Sequence, residues 1–199
     1  TPGQCYVEVN VSSVTPGNLI NTIPAGNLSS QGDDGGTIVS ITNTTPASAT
    51  ITVIAVSPPS LSKGFVPNTM FVGQNSVMTI RLNNNDADTN LTGATYTDTL
   101  PAGLIVATPN GLTLTNCGPG IASAPAGGTT ISLANATVTP AQDCLVTVNV
   151  TGASGQYTNT IPAGPGGPGS LQTNQGVTNN TPASANLNVQ PVRITKAFL

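Results

Sequence analysis

Cys144-Leu-Val-Thr-Val-Asn-Val150 is the stretch that decides the fold. Cys144, Val146, Val148 and Val150 alternate with Leu145, Thr147 and Asn149. That period of two sends successive side chains to opposite faces of a half-buried strand. Outward from it, Met78, Ile80 and Leu82 alternate with Val77, Thr79 and Arg81, and Leu187 and Val189 alternate with polar neighbours. Breakers separate such runs: Val72-Gly73, residues 83–90, Pro101-Ala-Gly103, Ala126-Gly-Gly128 and Pro165-Gly-Gly-Pro-Gly169. No stretch reads as a long amphipathic helix. The spacing predicts strands near 60–65, 76–83, 93–99, 104–107, 112–116, 129–133, 144–151, 155–161 and 183–190. So many short strands with regular turns predict an all-β, immunoglobulin-like β-sandwich.

The same stretch is written twice, since Cys5-Tyr-Val-Glu-Val-Asn-Val11 precedes it in the chain. Asn21-Thr-Ile-Pro-Ala-Gly26 returns as Asn159-Thr-Ile-Pro-Ala-Gly164, and Thr45-Pro-Ala-Ser-Ala49 returns as Thr181-Pro-Ala-Ser-Ala185. Ile194-Thr-Lys-Ala-Phe198 echoes Leu61-Ser-Lys-Gly-Phe65. A spacing well over a hundred residues is that of tandem domains, not of solenoid units. The expected organisation is the C-terminal part of one repeat in residues 1–57, a complete repeat in 58–191, and the first strand of a following repeat in 192–199. Ser57-Pro58-Pro59 and Gln190-Pro191-Val192 read as short, semi-rigid joints. Residues 1–57 make up less than half of a sandwich, and one donated strand such as 193–199 is not expected to complete it. Neighbouring repeats of the same polypeptide, or identical chains in a fibre, are the expected partners.

Composition narrows the functions. Charged residues are 6% of the chain and the net charge is −3, with Lys63, Arg81, Arg193 and Lys196 the only cations. Nucleic acid binding needs clustered Lys and Arg, as does attraction to anionic lipid. Neither is expected, and no apolar run is long enough to insert into a membrane. Histidine is absent and Glu8 is the only glutamate. No carboxylate pair, phosphate loop or nucleophile elbow appears, so neither an enzyme nor a cofactor is expected. Aromatic residues are 3% of the chain, so the core rests on aliphatic side chains and covalent reinforcement is expected.

The strings Lys63-Gly-Phe65, Thr97-Asp-Thr-Leu-Pro-Ala-Gly103, Tyr157-Thr-Asn-Thr-Ile161 and Pro182-Ala-Ser-Ala185 resemble a known pattern. It is the tandem repeat of unknown function, marked by Asp-Thr-Leu-Pro-Ala-Gly, of large bacterial surface and secreted proteins. The resemblance implies an Ig-like fold and an extracellular stalk, adhesin or envelope role at the bacterial cell surface. It implies no defined ligand.

Three cysteines are odd for a secreted chain, and the repeat accounts for them. Cys144 matches Cys5, and Cys117 lies in the part of the repeat with no earlier copy. A Cys117–Cys144 disulfide is therefore expected, with Cys5 pairing to a cysteine upstream of Thr1. The alternative is three buried thiols in a reducing compartment. With no His and no Cys-x-x-Cys, a metal site is not expected.

Polar residues recur on apolar strand faces. Lys63 shares a face with Leu61 and Phe65, Asp98 with Ala94, Tyr96 and Leu100, and Asn159 with Tyr157 and Ile161. Three polar groups are thus aimed at one core, where an unpaired charge costs several kcal/mol. One reading is an intramolecular isopeptide bond between Lys63 and Asn159, assisted by Asp98. A desolvated lysine loses its proton and becomes nucleophilic, and a buried protonated aspartate polarises the amide. This is similar to the self-generated crosslinks of Ig-like domains in bacterial pilins and adhesins. A second reading is a buried Lys63–Asp98 ion pair hydrogen-bonded to Asn159. A third is a one-residue slip of strand phase that turns all three outward.

Asp86 and Asp88, within the polar run 83–90, offer a partial calcium ligand set without the Gly and Glu of an EF-hand. Sequons at Asn10, Asn27, Asn43, Asn90, Asn135 and Asn149 are expected by chance in an Asn- and Thr-rich chain. The leading expectation is a structural repeat of an extracellular stalk, filament or surface layer. The other is an adhesin module that binds a carbohydrate or protein ligand through loops such as 83–90 and 164–175. The scarcity of aromatics ranks it second.

Overall fold

The computed structural model describes residues 6–13, 15–194 and 196, and every regular element among them is a β-strand. Cys5 and its expected upstream disulfide lie outside the described residues. Among those residues, no helix is long and apolar enough to cross a membrane. The chain divides into two compact units, Thr1–Ala55 and Val56–Leu199.

The first unit holds β1 (Gly17–Ile23), β2 (Ser29–Asp34), β3 (Thr37–Thr42) and β4 (Ala47–Val53). β1 pairs antiparallel with β4, placing Asn21 opposite Ala49, and β2 and β3 form a hairpin. An asparagine locks the connection between the two pairs. Asn43 donates from Nδ2 to the carbonyls of Pro24 and Thr45 and accepts the Leu28 N–H on Oδ1. Its own carbonyl accepts the Gly26 N–H.

The second unit begins with β5 (Ser60–Val66), β6 (Thr69–Phe71), β7 (Ser76–Asn83), β8 (Leu91–Thr99) and β9 (Leu104–Val106). It continues with β10 (Thr113–Thr115), β11 (Ile121–Ser123), β12 (Thr130–Val138), β13 (Asp143–Gly152), β14 (Gly155–Ile161) and β15 (Ala183–Gln190). One sheet runs β10-β13-β7-β5, with β9 also on β13. A second runs β11-β12-β8 and a third β14-β15-β6, where β6 lies parallel to β15. The alternation read from the sequence becomes burial: Met78, Ile80 and Leu82 on β7 and Val146, Val148 and Val150 on β13 all face the core. Buried side chains from all three sheets form one cluster, in which Phe65 and Tyr96 are the buried aromatics. Each fully buried aliphatic contributes about 1.5–3 kcal/mol relative to exposure. The Cys117–Cys144 disulfide joins the turn after β10 to the start of β13. In the chain-entropy account a loop of this size stabilises by about 3–4 kcal/mol.

The strands differ from the sequence expectation in three places. β6 and β11 are too short to show a period and exist because they pair with distant strands. β12 runs on to Val138 past Asn135, whose φ of 53° marks the irregularity where the register with β8 shifts.

Two glycines show why the strings around β8 and β14 go together. Gly103, at φ 101°, ends the Asp98-to-Gly103 string, and a Cβ there would lie 2.6 Å from the Tyr157 hydroxyl. That hydroxyl donates to the Ala153 carbonyl at 2.8 Å, so the tyrosine folds across the turn that only glycine leaves open. Gly169, at φ 79°, approaches β8 so closely that a Cβ would meet the Thr97 carbonyl at 2.0 Å. The loop that follows β14 thereby bonds β8: Thr97 donates to the Gly169 carbonyl at 3.2 Å, and Thr95 and Gln172 exchange a pair of backbone bonds.

Candidate crosslink site

Lys63 on β5, Asp98 on β8 and Asn159 on β14 come from three sheets and meet in the core of the second unit. Their strands are packed on both flanks: Leu61 and Phe65 flank Lys63, Tyr96 and Leu100 flank Asp98, and Ile161 adjoins Asn159, all buried. The phase of each strand is therefore the one that turns these polar groups inward, and the slipped alternative is not what the chain adopts. The Lys63 and Asp98 side chains are wholly buried and lie 2.7 Å apart, Nζ to Oδ1. Lys63 Nζ also donates to Asn159 Oδ1. Asn159 Nδ2 points to the Thr99 carbonyl at 3.5 Å. Apart from the lysine contact, neither carboxylate oxygen of Asp98 has a hydrogen-bond partner among the described residues.

Burial drives both charged groups toward neutrality. Desolvation lowers the Lys63 pKa, against the opposing pull of the Asp98 charge. Desolvation likewise raises the Asp98 pKa, with the Lys63 charge acting in the opposite sense. The neighbouring Tyr96 hydroxyl is pushed far up by burial first and by the Asp98 charge second, so it stays protonated. Both shifts run in the direction of an unprotonated amine and a protonated carboxyl beside the Asn159 carboxamide. That is the direction in which amide exchange becomes feasible.

Asp86 and Asp88 stand apart from this site. The Asp86 carboxylate accepts backbone N–H groups from Ser57 at 2.9 Å, Asp88 at 3.0 Å and Thr89 at 2.8 Å. Those donors, Ser57 foremost, hold its pKa down to about 2. These N–H dipoles reach both oxygens, so the carboxylate pins the loop after β7 to the entry of the unit. Among the described residues, no group of three or more His, Cys, Asp or Glu side chains is placed to hold a metal.

Two features went unread in the sequence. The exposed Arg81–Asp143 ion pair with Asn83 joins β7 to β13, and no local signal marks a pair so distant in the chain. Asn179 repeats the Asn43 lock, donating to the Pro162 and Thr181 carbonyls. The matching string around Thr45 and Thr181, extended two residues upstream, would have revealed it.

The family described as domain of unknown function DUF7933 matches residues 59–189, and the chain belongs to it. No curated protein matches the sequence. Among solved structures, a cohesin module from a Clostridium perfringens family 33 glycoside hydrolase is 14% identical, with a TM-score of 0.50, over 68% of this chain and 98% of that one. The likeness is one of β-sandwich fold. The N-terminal domain of a Streptococcus gordonii adhesin is 13% identical with a TM-score of 0.41, over 76% of this chain and 37% of that one. The bacterial hydrophobin BslA is 17% identical with a TM-score of 0.44, over 70% and 99%.

Proposed function

We propose that the chain is a non-catalytic structural segment of a bacterial extracellular stalk, fibre or surface layer. Its complete sandwich is stapled twice, by the Cys117–Cys144 disulfide and by an isopeptide bond between Lys63 and Asn159. The observation that carries this reading is the buried contact of Lys63 with both Asp98 and Asn159. A buried ion pair is weak support for stability in itself, whereas a covalent bond justifies placing a lysine there. The neutral Lys63 amine attacks Asn159 Cγ, and the Nζ–Cγ bond forms as the Cγ–Nδ2 bond breaks. The Asp98 carboxyl gives its proton toward the amide and recovers one from the attacking nitrogen, so that ammonia leaves and no other reagent is consumed.

The adhesin reading takes second place on the loops it needs. Loop 83–90 is bound up in the Asp86 turn, and loop 164–175 bonds the edge of β8. Intact mass after reduction tests the first reading. The expected mass is one ammonia below the sequence value, with Lys63 and Asn159 recovered in a single branched peptide. Lys63→Ala and Asp98→Ala should each restore the full mass. Full mass in the unaltered chain would leave only the ion pair and remove the covalent staple.

A further inference from the structure

The outer face of the sheet β14-β15-β6 carries a groove that takes no part in the staples or the asparagine lock. It measures about 340 Å³ and is lined by Asn68 and Thr69 at the start of β6, Gln156 and Thr158 on β14, and Asn186 and Asn188 on β15. Sites for small molecules span about 300–1,000 Å³. Gln156 lies opposite Asn188 and Thr158 opposite Asn186, so these four stand side by side, and none of the six is charged. Thr158 donates from Oγ1 to Asn186 Oδ1 at 2.8 Å, which leaves the Asn186 Nδ2 hydrogens for another acceptor. The side chains of Asn68, Gln156 and Asn188 make no hydrogen bond among the described residues. The fold does not ask for these groups. The matching strand pair of the first unit keeps the register but sets Ile20 opposite Thr50, where the second unit sets Thr158 opposite Asn186. Phe71 stands two residues on from Thr69 on the same face, roughly 7 Å along the strand. It is 48% exposed, whereas Phe65 and Tyr96 are buried and Tyr157 is partly buried. Among the described residues of the second unit it is the one exposed aromatic.

We infer that this groove binds a neutral oligosaccharide. A sugar hydroxyl both donates and accepts, as a carboxamide does, so Asn68, Gln156, Asn186 and Asn188 match a run of hydroxyls. A groove without charge offers no partner to an ionised ligand, and neutral groups lose less than charged ones on leaving water. The C–H face of a sugar ring is apolar and covers the Phe71 ring. The Thr158–Asn186 bond holds one donor in place before binding, so less side-chain freedom is lost there. The inference gives the adhesin reading a site away from loops 83–90 and 164–175, and it does not need the Lys63–Asn159 bond. Mass tests the bond, and titration tests the groove.

Nitrogen-15 NMR of the full chain provides the test, with separate titrations of cellohexaose, mannohexaose, xylohexaose, chitohexaose and the acidic hexagalacturonate. The expected result is a saturable shift of the Asn68, Gln156, Asn186 and Asn188 side-chain amides with at least one of the four neutral sugars. Hexagalacturonate should bind more weakly. Asn186→Ala and Phe71→Ala, both at exposed positions, should leave the melting temperature in place and each weaken binding about tenfold. Thr50→Ala, at the position of the first unit that matches Asn186, should leave binding unchanged. No saturable shift with any of the four neutral sugars would overturn the groove. So would shifts confined to other loops, affinity unaltered in both Asn186→Ala and Phe71→Ala, or tighter binding of hexagalacturonate.

Discussion

The strand pair β1–β4 and the strand pair β14–β15 are built from matching strings and share a register, yet one is bare and the other is core. Ile161 is 0% exposed and its counterpart Ile23 is 46% exposed; Leu187 is 1% exposed and Ile51 is 45% exposed. The asparagine lock is present in both, on Asn43 and on Asn179, with the same set of carbonyl partners. Pairing, turn and lock are therefore local properties that the strings carry with them. Burial is not. In the second unit it comes from the sheet containing β5, β7 and β13; among the described residues no such sheet covers β1 and β4.

The comparison breaks most visibly at the isoleucines. Ile161→Ala removes buried methyl groups and should cost about 2–5 kcal/mol, read as a lower melting point of the second unit. Ile23→Ala, at the matching position, should stay within about 0.5–1 kcal/mol because its side chain is already half in water. Equal losses at the two sites would mean that Ile23 is covered in solution.

A smaller contrast lies in the locks. Asn179 is buried, and its Oδ1 has no hydrogen-bond partner among the described residues, whereas Asn43 Oδ1 accepts the Leu28 N–H. Asn179→Ala removes a buried side chain and its two hydrogen bonds to the Pro162 and Thr181 carbonyls and should cost about 1–3 kcal/mol. Asn43→Ala, near water, should cost about 0.5–1.5 kcal/mol. Denaturant titration of each variant gives both numbers.

Acid probes a contact found only in the second unit. Asp86 has a folded pKa of about 2 against an unfolded value of about 3.9. Its folded form binds protons less readily than its unfolded form, so its contribution is complete above about pH 4 and fades as pH falls toward 2. Melting curves taken across that window should show a loss that Asp86→Asn removes.

Much of this was legible because the chain alternates cleanly. Lys63, Asp98 and Asn159 were visible as polar residues in apolar phases, and alternation alone sufficed to aim them inward. Cys117 and Cys144 were visible through the second copy of Cys144 at Cys5. The role of Asp86 was not legible, because a carboxylate in an Asn/Asp-rich loop looks alike whether it meets N–H groups or a cation. The run from Pro165 to Gly169 read only as a breaker between strands. Its approach to Thr97 depends on a backbone distance that no sequence period reports.

Lys63 and Asn159 are 96 residues apart in sequence but adjacent in space. β5 is the first strand of the second unit, and β14 is the last strand but one. With the proposed bond in place, tension applied through the two ends of the unit passes from β5 directly into β14, and the strands between carry none of it. Fully extended, the bypassed chain would span roughly 300 Å. A fibre of such units would keep its length under a pull that unravels an uncrosslinked sandwich.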